Sequence, residues 1–86
     1  MKAVVHTDFD TFRSEGGRGA VCFMGQDGLA FKCPCCGTEG YLPFKGPGDT
    51  WEWDGNTTAP TVTPSIRYTG GCLWHGWLKA GVFRDA

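Results

Sequence analysis

The sequence predicts a small all-β domain, built mostly from antiparallel strands and hairpins. Its 86 residues form a single domain, residues 1–86, and a domain of this size buries too little apolar surface to be comfortably stable alone. The chain is rich in glycine and tryptophan, with 14 and 4 residues, and its short apolar runs are separated by turn-forming segments. No longer window places apolar residues at helical spacing, so helices are not expected.

The first part of the chain is predicted to contain a strand, a loop and a hairpin. Residues 2–6 form a short strand, whereas residues 8–19 are polar, end in Gly-Gly-Arg-Gly and are predicted to be a mobile loop. Residues 20–24 and 29–32 are strand-like runs on either side of Asp27-Gly28. An Asp-Gly pair between apolar alternations is a strong hairpin signal, so these two runs should pair.

The remainder of the chain is predicted to add further short strands. Residues 41–44 form one strand, and residues 51–53 (Trp-Glu-Trp) alternate strictly, which places both indoles on one face. Residues 59–65 contain two prolines, which lack the N–H that a sheet ladder needs, so this segment should not be a central strand. Residues 76–80 and 82–84 close the chain as two strands around a bend.

Two cysteine-containing segments carry the candidate metal ligands. They are Cys33-Pro34-Cys35-Cys36-Gly37 and Cys72-Leu73-Trp74-His75. Two residues separate Cys33 from Cys36, and two separate Cys72 from His75, a spacing typical of tetrahedral zinc sites. The odd number of cysteines, five, fits a disulfide framework poorly, and reduced, metal-bound thiols in the cytoplasm fit better. We therefore expect one structural zinc ion that stabilises the domain.

The sequence leaves two ligand sets open. Spacing alone favours Cys33, Cys36, Cys72 and His75, because the side chains of neighbours such as Cys35 and Cys36 tend to diverge. The other set is Cys33, Cys35, Cys36 and Cys72, which leaves His75 free. The difference matters for function, because an imidazole nitrogen that binds zinc cannot also accept a proton from a nucleophile.

The charge and hydropathy of the chain argue against nucleic acid and membranes as partners. The formal net charge of -1 and the pI of about 6.0 give no electrostatic case for binding nucleic acid or an anionic membrane. The apolar runs are far shorter than a membrane span, and no secretory leader follows Met1. We expect a cytoplasmic protein of a bacterial host cell, with a protein or peptide as its partner.

Four blocks of sequence, in order, resemble a known family. They are Cys33-Pro34-Cys35, residues 51–56 (Trp-Glu-Trp-Asp-Gly-Asn), residues 60–66 (Pro-Thr-Val-Thr-Pro-Ser-Ile) and residues 72–78 (Cys-Leu-Trp-His-Gly-Trp-Leu). The family consists of small phage and bacterial proteins of uncharacterised domain type, some of which carry the mistaken label ammonia monooxygenase. Others are encoded beside bacterial ubiquitin-like conjugation genes, as peptidases on the ubiquitin-like protein. Related members often have Cys-Pro-Cys-Gly-Cys where this chain has Cys-Pro-Cys-Cys-Gly, which leaves the third ligand of this segment open.

The resemblance implies a serine-type peptidase with a structural zinc, which cleaves near a flexible protein tail. Ser65 would be the nucleophile and His75 the general base, because a serine hydroxyl reacts only when a base within hydrogen-bond reach removes its proton. No acidic residue that orients the histidine is evident. Asp49, Glu52 and Asp54 are candidates, and a backbone carbonyl could serve equally.

A non-catalytic function is the competing hypothesis. The chain would then be a zinc-ribbon-like protein-binding module, such as a phage accessory or anti-defence protein. Trp51, Trp53, Trp74 and Trp77 are predicted to form the core beside the metal, because so small a domain needs large buried rings. The alternative for these side chains is an exposed groove that grips an extended peptide.

Overall fold

A computed structural model describes every residue from Met1 to Ala86 and confirms the small all-β domain. Two four-stranded sheets and one short helix make up the fold. The elements in chain order are β1 (Val4–His6), α1 (Phe9–Glu15), β2 (Ala20–Phe23), β3 (Gly28–Lys32), β4 (Glu39–Pro43), β5 (Glu52–Trp53), β6 (Val62–Arg67), β7 (His75–Lys79) and β8 (Val82–Asp85).

The first sheet has the strand order β1-β2-β3-β4 and contains the predicted hairpin. β1 runs parallel to β2, and the other neighbours are antiparallel. In the turn between β2 and β3, the Met24 N–H donates to the Gly28 carbonyl, and the Asp27 N–H donates to the Met24 carbonyl. The pairing of β2 with β3 confirms the Asp27-Gly28 signal, and β3 leads directly into Cys33.

The second sheet has the order β5-β6-β7-β8, with antiparallel neighbours throughout. Here the prediction for residues 59–65 is wrong, because β6 begins at Val62 and lies between two strands. The β6–β7 pairing shifts register between Val62 and Ile66, and β5 covers β6 only at Val62 and Thr63. Pro64 therefore occupies no paired position on either side, and its missing N–H leaves both ladders intact.

The amino-terminal segment joins the two sheets. Lys2 forms an isolated antiparallel bridge with Val82, and the Ala3 N–H donates to the Gly81 carbonyl at 2.8 Å. One residue later, Val4 begins β1 in the first sheet. The same extended segment therefore hydrogen-bonds to both sheets and holds them together on this side.

Apolar side chains from both sheets form one main core. Its buried members include Val21, Leu29, Phe31, Leu42, Val62, Ile66, Trp74, Leu78 and Phe83. Trp51 and Trp53 pack against this core and are partly buried. Trp77 differs from the prediction of a core residue, because it points to the opposite face of β7 from Leu78 and is 42% exposed.

The helix α1 corrects the predicted loop over residues 8–19. Asp8 caps it, because its carboxylate accepts from the N–H and the hydroxyl of Thr11, at 2.9 and 2.8 Å. Phe12 is fully buried in a second, smaller cluster with Ala20 and Cys22 of β2. A helix of seven residues with one buried side chain is too short to show periodicity in the sequence. It is also too short to cross a membrane.

Because Phe12 anchors α1 to the first sheet, we expect Phe12→Ala to lower the free energy of unfolding by about 3–5 kcal/mol. Phe9→Ala is the matched control, since Phe9 lies one turn earlier on the same helix and is only partly buried. Its loss should be clearly smaller. Denaturant unfolding, followed by tryptophan fluorescence, measures both, and equal losses would show that the helix is not held by Phe12.

Candidate functional site

Ser65 and His75 meet on the outer face of the second sheet. Ser65 lies in β6 and His75 begins β7, where it pairs directly with Arg67. Side chains alternate along each strand, so Ser65, Arg67 and His75 share the face opposite to buried Ile66. The Nε2 atom of His75 lies 3.1 Å from the Oγ of Ser65. This distance is within hydrogen-bond range, so a proton can pass between the two atoms.

The backbone around Ser65 is oriented by both neighbouring strands. The Tyr68 N–H donates to the Trp74 carbonyl at 2.7 Å, which points the backbone groups of Tyr68 towards β7. Alternation then points the backbone groups of Arg67 and Ser65 the other way. There the indole Nε1–H of Trp51 donates to the Ser65 carbonyl at 3.3 Å. The tryptophan therefore helps to fix the position of the strand that carries the hydroxyl.

His75 accepts the Ser65 proton only if its own proton is on Nδ1, because the Nε2 lone pair must then be free. No side chain hydrogen-bonds to Nδ1. Of the acidic candidates, Asp54 instead accepts from the backbone N–H groups of Asn56 and Thr61 through Oδ1, at 3.0 and 3.2 Å. Asp49 and Glu52 likewise make no hydrogen bond to His75. The geometry is that of a Ser/His pair without a carboxylate partner.

Three cysteines form a second cluster between the two sheets. Cys33 and Cys36 follow β3, and Cys72 lies in the loop between β6 and β7. Their sulfur atoms all lie within 4.8 Å of one another and could hold a metal ion. The Sγ atoms of Cys33 and Cys72 are 3.7 Å apart, far beyond the roughly 2.05 Å of a disulfide.

The sulfur spacing fits a tetrahedral metal with thiolate ligands. Zinc–sulfur bonds of about 2.3 Å at a tetrahedral angle place two sulfurs roughly 3.8 Å apart. The Cys33–Cys72 separation of 3.7 Å agrees with that value. Cys35 is exposed and lies outside the group of three, yet its side chain is the largest cause of the raised pKa of the Cys72 thiol. The structure therefore brings together three of the four predicted thiolates, whereas it brings His75 to Ser65.

The thiols of the cluster differ in acidity. The Cys36 thiol donates to the Thr38 Oγ1 at 3.3 Å. In the thiolate form, hydrogen bonds from the Thr38 hydroxyl and backbone N–H to the sulfur lower the pKa of Cys36 to about 6. Burial raises the pKa of Cys33, because the thiolate loses its hydration. A metal must displace a proton from the Cys33 thiol, while the thiolate of Cys36 is already favoured near neutral pH.

Sequence reasoning missed two residues at these sites. It assigned Trp51 to the core, whereas the indole also donates to the Ser65 carbonyl, and it gave Thr38 no role although Thr38 lowers the pKa of Cys36. The Thr38 contact had a local signal, since Thr38 follows Cys36 by only two residues in the sequence. The Trp51 contact had none, because it depends on which strands pair.

A model of one protein family matches residues 7–86. The family is described as BubE, bacterial ubiquitination-like system serine protease. The match spans most of the chain, so the chain belongs to this family. It agrees with the resemblance to proteins encoded beside ubiquitin-like conjugation genes. No curated protein and no solved structure matches the chain.

Removing metal should unfold the domain or lower its melting temperature sharply. The cluster links segments far apart in the chain, and the unfolded chain has no preformed site, so the binding free energy adds to the folding free energy. Elemental analysis gives the metal content, and thermal unfolding with and without a strong chelator gives the effect. A metal-free preparation that melts at the same temperature would contradict this prediction.

Cysteine substitutions separate ligands from core residues. Cys33→Ser and Cys72→Ser should each abolish folded protein, whereas Cys22→Ser, which lies in the helix-side cluster, should cost only about 1–3 kcal/mol. Cys35→Ser decides the fourth ligand. We expect it to lose metal to the same extent as Cys33→Ser, measured by metal content and solubility; full metal retention would exclude Cys35 from the site.

Proposed function

We propose that this member of the BubE family is a Ser/His hydrolase that cleaves a peptide or ester bond near the flexible carboxyl-terminal tail of a ubiquitin-like protein. The observation that carries the proposal is the 3.1 Å separation between the Ser65 Oγ and the His75 Nε2. The family description, which names a serine protease, supports the same reaction class. Ser65 acts as the nucleophile and His75 as the general base.

The reaction begins with the hydroxyl of Ser65. As Oγ attacks the carbonyl carbon of the scissile bond, its proton passes to the Nε2 of His75. The tetrahedral intermediate collapses when the imidazolium returns this proton to the leaving amine or alcohol, and an acyl-Ser65 remains. A water molecule, deprotonated by His75, then hydrolyses the acyl group and regenerates the free serine.

His75 performs these transfers without a carboxylate on Nδ1. A carboxylate in that position normally holds the tautomer and stabilises the imidazolium. The position of His75 depends instead on β7, where its backbone carbonyl accepts from the Ala86 N–H at 2.9 Å and its ring lies beside the exposed indole of Trp77. We expect a pair of this kind to be a slower catalyst than a full triad.

The metal in this proposal is one structural zinc ion, held by thiolates of Cys33, Cys36 and Cys72, with Cys35 as the fourth ligand. The supporting observation is the sulfur spacing, which suits a tetrahedral thiolate site. Such a zinc supplies folding free energy and leaves no open position for an activated water molecule. His75 is then free to act as the base.

A non-catalytic protein-binding module remains the second candidate function. It is favoured by the exposure of Trp77 and Leu73, at 42% and 71%, on and beside the strand that carries His75. Exposed large apolar side chains on one side of a small protein are typical of an interaction surface. In this alternative the Ser65–His75 hydrogen bond has only a structural role, and the chain binds a host protein without cleaving it.

Substitution of the pair tests the enzymatic proposal. Ser65→Ala and His75→Ala should each lower the rate of cleavage of a ubiquitin-like precursor or conjugate by several orders of magnitude. The cleavage rate of the double variant should be no lower than that of either single variant. Ser14→Ala is the matched control, since its hydroxyl bonds only to the Asp10 carbonyl on α1. It should leave cleavage unchanged.

Metal content, melting temperature and labelling by a serine-directed phosphonate complete this experiment. The two variants should keep their metal and their stability, and the phosphonate should label the parent protein at Ser65. Full cleavage by Ser65→Ala, or loss of the metal in His75→Ala, would support the binding module instead.

A further inference from the structure

Three cations without carboxylate partners share the outer face of the second sheet with Ser65 and His75. Arg67 pairs with His75 across β6 and β7, and Arg84 pairs with Trp77 across β7 and β8. Lys79 follows two positions after Trp77 and so lies on the same face. All three cations are exposed, and none makes a salt bridge or a side-chain hydrogen bond.

This positive face is not a consequence of overall composition. The chain has a formal net charge of -1, and other cations are neutralised locally: Arg13 pairs with Glu39, and Lys45 pairs with Asp27. On the outer face, Glu52 is the only carboxylate at a paired strand position; it stands on β5 opposite Thr63, on the other side of Ser65 from Arg67. Asp85 lies on the other face and accepts from the indole N–H of Trp74 at 2.8 Å.

We propose that this face binds a substrate segment that carries carboxylate groups beside the scissile bond, with Arg67 as the main specificity-determining residue. The proposal rests on the proposed function, because it treats the Ser65–His75 face as the surface on which substrate lies. An acidic segment is the occupant that matches the charge, since like charges placed opposite these cations would repel.

The register places Arg67 within reach of a residue next to the bond that is cleaved. Arg67 is two positions from Ser65 on the same face, a distance of roughly 7 Å along a strand. It stands opposite His75, where paired Cβ atoms are about 5 Å apart. Its guanidinium can bind a carboxylate with two parallel hydrogen bonds, whereas Arg84 and Lys79 lie beyond Trp77 and attract acidic groups at longer range.

Short fluorescent peptides test the proposal by direct binding, with no need for cleavage. The peptides are identical except that glutamate, glutamine or lysine fills the variable positions, and all carry an amidated terminus. Anisotropy titrations with Ser65→Ala protein should show the glutamate peptide binding about fivefold more tightly than the glutamine peptide. The preference should weaken at high salt, because exposed charges are screened.

One more peptide, the glutamine peptide with a free carboxyl terminus, distinguishes a terminal carboxylate from acidic side chains as the group that is bound. If this peptide binds more tightly than its amidated form and the gain depends on Arg67, the face binds a terminal carboxylate. If only the glutamate peptide binds more tightly, the face binds acidic side chains. Either result supports the proposal. If neither carboxylate raises the affinity, the proposal is overturned.

Charge variants give the residue-level test. Arg67→Gln, made in the Ser65→Ala protein, should reduce the preference for glutamate, and Arg67→Glu should turn it into a preference for lysine. Arg13→Gln on α1 removes the same charge from elsewhere on the molecule and should leave the preference intact. A preference that survives Arg67→Glu, or that falls equally in Arg13→Gln, overturns the role of Arg67. Phosphonate labelling of Ser65 in the parent protein tests the proposed function separately.

Discussion

The three-cysteine cluster is the contact on which the relative position of the two sheets depends at this end of the molecule. Cys33 and Cys36 belong to the segment after β3, and Cys72 belongs to the loop that precedes His75. Sulfur atoms 3.7 Å apart repel as thiolates unless a cation lies between them. The cysteine cluster therefore connects the two sheets. It also fixes the loop that contains Cys72 and leads into His75 at the start of β7.

Other contacts of the fold fix the positions of the Ser65 hydroxyl and the His75 imidazole. The amino-terminal segment joins the sheets along β8, and the Tyr68 hydroxyl donates to the Glu39 carbonyl at 2.9 Å near the cysteines. Between these ties, the buried side chains of Ile66 and Leu78 hold β6 and β7 against the core. Ser65 and His75 are thus carried by strands whose other face packs against the core, and a rigid support of this kind favours preorganised chemistry.

Local patterns predicted most strands, because alternation and turn residues are properties of neighbouring positions. The Asp27-Gly28 hairpin and the cysteine spacing belong to this class. Helix α1 was missed because its evidence is one capping residue and one buried Phe12. Contacts across strands could not be predicted in the same way. The Arg67–His75 pairing and the Trp51 bond to the Ser65 carbonyl follow from a register that shifts beside Pro64, which no local pattern reports.

The incomplete cover of β6 by β5 exposes the molecule to unwanted strand pairing. Beyond Thr63, β6 presents the backbone of Ser65 and Arg67 to an edge where another extended chain, including a second copy, could add a strand. Two features oppose this: the Trp51 indole occupies the Ser65 carbonyl, and Arg67 places a charge at the edge. The Trp51 indole that holds the strand of Ser65 therefore also hinders the addition of another strand at this edge.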